Sequence, residues 1–186
     1  DSDRITKIYA DFTEGEHSKI LEAADFGYWE ITVEQPLQLR FEVTDENHAA
    51  VMEAKPIVKL DEDARQTLAA VLDGMRGQIW MKRDAFIAEL KKQLKGRGMS
   101  LGAPAIKAVW QGIGEHDEDA EICRDSKGRP EPDTELRDTE LVPFRDDIPS
   151  YVEREVRPFL PNAWIDESKT KIGYEIPFTR YFYQYE

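Results

Sequence analysis

Residues 28–43 read YWEITVEQPLQLRFEV. The odd positions Trp29, Ile31, Val33, Leu37, Leu39, Phe41 and Val43 are apolar, and mostly polar residues stand between them. A period of two predicts extended chain with one face buried. Pro36 has no amide donor, so the run is expected to bend there or to lie at a sheet edge. Upstream, Ile5, Ile8, Tyr9 and Phe12 follow the spacing of a short amphipathic helix that TEGEHS breaks. Downstream, TDEN at 44–47 resembles a helix start, and Pro56 is expected to end whatever follows it.

The middle of the chain switches to the helical period. Asp61 is placed to cap a helix with Ala64, Leu68, Val71, Leu72 and Met75 along one stripe, stopping at GMRG. A second helix runs from about Lys82 with Phe86, Ile87, Leu90 and Leu94 inward and ends at KGRG. A third follows Pro104 with Ile106, Val109, Trp110 and Ile113 inward, closing at Gly114. Short connections predict a compact helical sub-bundle.

Beyond it, the turn-rich segment 115–144 predicts a short strand near Glu121–Arg124, a DSKG turn, and an extended stretch held open by Pro130 and Pro132. Asp146 or Asp147 should cap a further helix bearing Ile148, Val152, Val156 and Phe159 near one face, ended by Pro158 and Pro161. Along 171–185 the even positions Ile172, Tyr174, Ile176, Phe178 and Phe182 are expected to face a core. Tyr181, Tyr183 and Tyr185 then fall on the opposite face. The fold class expected is α+β, a mostly helical middle with short strands from residues 28–43, 121–124 and 171–185.

The chain has 186 residues and a formal charge of −13, which as a whole repels phosphate backbones. The charge is uneven. Residues 76–107 carry eight Lys/Arg against two Asp/Glu, whereas 115–147 carry thirteen acids against five bases. Cys123 is the single cysteine, so no internal disulfide can form and a reducing, cytoplasmic setting is expected. No signal peptide and no apolar run near membrane length is visible, so no membrane partner is expected. The chain begins at Asp1 without methionine, as an internal fragment would.

Few residues suggest chemistry. His17, His48 and His116 lack zinc-ligand spacing, so no metal is expected. Cys123 reads as a structural thiol. The glycines at 96, 98 and 102 lie between helices instead of after a strand, and helix capping explains them better than a cofactor loop. The acids of 115–121 lack calcium-loop spacing. The basic helix is the candidate for DNA-backbone contact through charge alone, with Lys82, Arg83, Lys91, Lys92, Lys95 and Arg97 as its cations.

Two stretches are distinctive. HSKILEAADFGYWEITVEQPLQLRFEV (17–43) and the chain from ICRDSKGRPEPDTELRDTELVPF (122–144) through AWIDESKTKIGYEIPFTRYFYQYE (163–186) resemble the C-terminal part of the methylation subunit of type I restriction–modification systems. The resemblance spans essentially all of the chain, and its informative motifs lie in 17–43 and 121–186. It implies a parent adenine-N6 DNA methyltransferase that uses S-adenosylmethionine and works with specificity and restriction subunits on DNA. The catalytic Asn-Pro-Pro-Phe of that family is absent, since Asn47 and Asn162 are followed by His and Ala. The cofactor loop is absent too, so no catalytic or cofactor residue is carried over. The resemblance further implies that residues 1–44 end the methyltransferase domain and that 45–186 form a C-terminal module. That module would act as a scaffold for subunit docking or DNA clamping, inert alone, with Tyr181, Tyr183 and Tyr185 as candidate subunit contacts. The alternative is a stand-alone acidic protein–protein interaction domain.

Overall fold

The computed structural model describes residues 2–176. In chain order its elements are α1 (Ser2–Asp11), α2 (Ala23–Phe26), β1 (Gly27–Glu34), β2 (Leu39–Glu42), α3 (Asp45–Glu53), α4 (Lys55–Val58), α5 (Glu62–Gly74), β3 (Ile79–Trp80), α6 (Arg83–Gly96), α7 (Ala103–Ile113), β4 (Gly114–His116), β5 (Asp138–Pro143), α8 (Ile148–Tyr151), β6 (Trp164–Ile165) and β7 (Lys171–Tyr174). The class is α+β, helices with small antiparallel sheets. Two compact units form: residues up to 35 together with those from 134 onward, and residues 36–133. These boundaries fall elsewhere than at 44/45. The alternating run of 28–43 is therefore divided, β1 belonging to one unit and β2 to the other.

In the unit of residues 36–133, β2 is the middle strand between β3 and β4. Phe41 is opposite both Trp80 and Gly114. It is fully buried and stacks on Phe86 of α6 with centroids 4.7 Å apart, and Trp80 meets Phe86 edge-on at 5.5 Å. Leu68, Val71, Leu72 and Met75 of the α5 region, Leu90 and Leu94 of α6, and Ile106, Val109 and Ile113 of α7 fill the same core, as their spacing predicts. The Asp61 carboxylate accepts from the Ala64 amide at 2.8 Å and caps α5. Thr44 and Asn47 form a reciprocal cap on α3: each backbone amide donates to the other's side-chain oxygen. Asn47 also donates to the Glu42 carbonyl, so one of the two asparagines of the chain has a structural use.

Pro56 begins the turn α4 instead of ending a helix, since its ring tolerates the first helical positions. Gly112 lies where the Val51 side chain leaves no room for a β-carbon, which lets α3 approach α7 closely. After α6, Gly98 takes φ +72, and the Gly98 and Met99 amides donate to the Lys95 and Leu94 carbonyls. That is a Schellman ending, and it accounts for the central glycine of GRGMSLG without a ligand. No strand forms at 121–124. Single bridges tie Ile122 to Gln38 and Arg124 to Pro130, because Pro130 and Pro132 deny a continuous ladder its donors. The DSKG turn is present, closed by the Gly128 amide donating to Asp125 with Gly128 at φ +77.

In the other unit β1 is central. It pairs along its length with β5, and on its other edge with β6 and β7, all antiparallel. Ile31, Val33 and Val142 are packed under Val152 and Val156. The helix expected after Asp147 is one α-turn, capped by Asp147 on the Ser150 amide, followed by a π turn over Val152–Val156. Phe159 lies outside that core and is 79% exposed. The face of β7 expected to be buried is open, with Ile172, Tyr174 and Ile176 at 56%, 61% and 45% exposure. Alternation marks a shared face there, but Ile172, Tyr174 and Ile176 are not among the side chains packed with Val152 and Val156. The rest of the expected 171–185 strand, from 177 on, lies outside the described residues. Helix α1 forms as its stripe predicts, yet none of its residues is buried.

Candidate functional site

Helix α6 carries the nominated cations, and they divide by what holds them. Lys82, at the N-cap, pairs with Glu121, whose hydrogen bond and charge hold the ammonium pKa above its usual value. Arg83 is 11% exposed at its side chain and is committed to structure. Its two terminal nitrogens donate to the two Glu131 oxygens at 2.8 and 2.7 Å, one of them donates also to the Arg124 carbonyl at 2.7 Å, and its guanidinium lies 4.9 Å over the Trp110 ring. The bidentate geometry is the strong form of a carboxylate pair, and it raises the Arg83 pKa further. The Glu131 backbone is itself fixed, its amide donating to Cys123 and its carbonyl accepting from Leu37. Arg83 therefore joins α6 to the 121–133 segment and α7.

Lys92 is turned to Glu89 at 3.1 Å, and Gln93 and Lys92 together hold the Glu89 carboxyl below its ordinary range. Lys91, Lys95 and Arg97 are exposed and have no ion-pair partner among the described residues. Lys91 and Lys95 are one turn apart on the outward face, and Arg97 follows at the C-cap. Positive charge at a helix C-terminus also complements the helix dipole, so these residues serve α6 whether or not they meet phosphate. The unit as a whole is nearly balanced, with fifteen Lys/Arg against eighteen Asp/Glu over residues 36–133. Tyr181, Tyr183 and Tyr185 lie outside the described residues.

Cys123 is buried, and burial pushes its thiol above the usual value despite the nearby Arg83. That disfavours the thiolate a nucleophile needs. Among the described residues no three His, Cys, Asp or Glu side chains converge as a metal-holding group, and no helix is long and apolar enough to cross a membrane.

A polar cluster in the β1 unit carries no motif in the sequence. Glu34 is 2% exposed, and its Oε1 accepts from Arg137 Nε at 2.9 Å and from Lys169 Nζ at 2.7 Å. Burial pushes the carboxyl up, but the hydrogen bonds and charges of Arg137 and Lys169 outweigh it and leave the pKa lowered. Lys169 also bridges to Asp166 at 2.7 Å. Near α2, Arg145 binds Asp25 at 2.6 Å and Glu22 at 3.0 Å, which lowers the Asp25 pKa. Two glycines belong to the same framework. A β-carbon on Gly27 would enter the Phe144 ring, and one on Gly173 would enter the Tyr28 ring. No family model, no curated protein and no solved structure matches this chain.

Proposed function

We propose that the chain is the C-terminal part of the methylation subunit of a type I restriction–modification system. In this reading it works as a scaffold for subunit docking or DNA clamping and is inert alone. Its parent is a cytoplasmic, S-adenosylmethionine-dependent adenine-N6 DNA methyltransferase that acts with specificity and restriction subunits. The observation that carries the proposal is how the two motif-bearing stretches meet. Residues of 17–43 pair with residues of 121–186 more than a hundred positions away: Asp25 with Arg145, Glu34 with Arg137 and Lys169, Gly27 with Phe144, and Tyr28 with Gly173. The distinctive residues are thus spent on holding one small sheet together. That use suits an architectural module better than a reaction centre.

The exposed apolar residues of α1 and β7 support the same reading, because a docking module needs surface for a partner to cover. Contact with DNA is assigned to the outward face of α6, through Lys91, Lys92 and Lys95, as charge without base readout. Calorimetric titration of the chain with S-adenosylmethionine should give no saturable heat, and saturable heat would contradict the inert reading. Binding to duplex DNA should be weak and salt-sensitive. It should be abolished when Lys91, Lys92 and Lys95 are all changed to Glu with melting unchanged. Retained binding in that triple variant would remove α6 from the DNA contact.

A further inference from the structure

Helix α1 places Ile5 and Tyr9 on one stripe at 68% and 85% exposure, and Phe12, just past its end at φ +42, is 73% exposed. Ile5 and Tyr9 are four residues apart, one helical turn and about 6 Å of rise. Ile20, Leu21, Phe26 and Ile176 line the same cleft, which holds about 920 Å³. Its polar edge is one-sided. Residues 1–35 contain three Lys/Arg and nine Asp/Glu; Arg4 and Lys19 line the cleft together with His17, and none of the nine acids is among its described lining. Glu14 accepts instead from the Ile20 amide, and Glu16 lies 3.9 Å from His17. The unit itself holds ten bases against twenty acids, so a cationic rim here runs against its surroundings.

We propose that this cleft is a docking site for an amphipathic helix of a partner protein, one whose apolar stripe is flanked by Asp and Glu. The wall is a helix with a stripe at helical spacing, which a second helix matches ridge into groove. The basic rim selects the sign of the flanking charge. The proposal stands on the cleft alone and survives if the methylation-subunit reading falls.

The test uses the full chain and two synthetic helical peptides with the same Leu/Ile stripe, one flanked by Glu and the other by Lys, titrated by fluorescence anisotropy. The Glu-flanked peptide should bind at least about tenfold tighter, with the difference shrinking as salt rises. Arg4→Glu combined with Lys19→Glu should reverse the preference, and Tyr9→Asp should remove binding of both peptides. All three residues are exposed and contribute nothing to the core, so the melting temperatures should stay unchanged. Equal affinity, preference for the Lys-flanked peptide, or no binding overturns the proposal. So does self-association of the chain that Tyr9→Asp abolishes while neither peptide binds, or saturable binding of dodecanoate in place of the peptides.

Discussion

Replacing Arg83 with Ala should weaken the folding of residues 36–133 before it touches any interaction with DNA. The side chain makes two charge-assisted hydrogen bonds to Glu131 and one to the Arg124 carbonyl, and it covers the Trp110 face. Bonds to charged groups contribute about 1.5–3 kcal/mol each in favourable settings, and a cation over an aromatic ring adds about 0.5–1 kcal/mol. Glu131 is 29% exposed and regains some water when its partner is lost, which offsets part of the sum. A net loss of about 2–4 kcal/mol is expected for Arg83→Ala. The double-mutant cycle with Glu131→Ala should return a coupling of about 1.5–3 kcal/mol. Urea unfolding followed by tryptophan fluorescence reads both values, since Trp80 and Trp110 lie in this unit. The coupling should persist at high salt because the pair is largely shielded from solvent, unlike the exposed Lys82–Glu121 pair. A loss below about 1 kcal/mol, or a coupling near zero, would refute the structural assignment. So would a drop in DNA binding by Arg83→Ala at unchanged stability.

The Glu34 network makes a pH prediction with a definite sign. Its folded pKa lies below the unfolded value, so the stability it contributes is present above the ordinary glutamate range and lost as pH falls through the folded pKa. Glu34→Gln should lower the neutral-pH stability and flatten the stability–pH profile on the acid side. An unchanged acid profile would show that Arg137 and Lys169 are not holding a carboxylate there. Gly173→Ala and Gly27→Ala should each cost about 1–3 kcal/mol in chemical unfolding, because the facing Tyr28 or Phe144 ring must move. Gly74→Ala, in open space on α5, should instead be neutral or slightly stabilising.

The helical middle was legible because each signal there is local. The Asp61 and Thr44 caps lie three residues from the amides they bind, and the stripes of α5, α6 and α7 repeat within one helix. What the sequence concealed depended on distant partners. Strand β5 reads DTELVP, with just Leu141 and Val142 strongly apolar, and they are adjacent instead of alternating. Its strand identity comes from lying along β1. The apolar odd positions of 28–43 keep the same parity on both sides of Gln35 and Pro36, so the period hides the change of sheet there, and Pro36 alone signals a bend.

The same limit applies to the candidate sites. Lys82 and Arg83 look alike in a basic helix, yet the exposed one pairs with Glu121 and the shielded one with Glu131, 48 positions away. On α1 and β7 the periodicity marks an apolar face but carries no information about whether anything covers it. Glu34 was missed because a single glutamate at a strand end resembles any solvated one until Arg137 and Lys169 are placed beside it.

The central proposal is that this chain works by docking within a methylation complex. Sedimentation of the folded chain with a specificity subunit of a type I restriction–modification system tests that proposal most directly. The account predicts a saturable complex that forms without S-adenosylmethionine and without DNA. Two independently sedimenting species at concentrations well above micromolar, with the chain folded by circular dichroism, would contradict it.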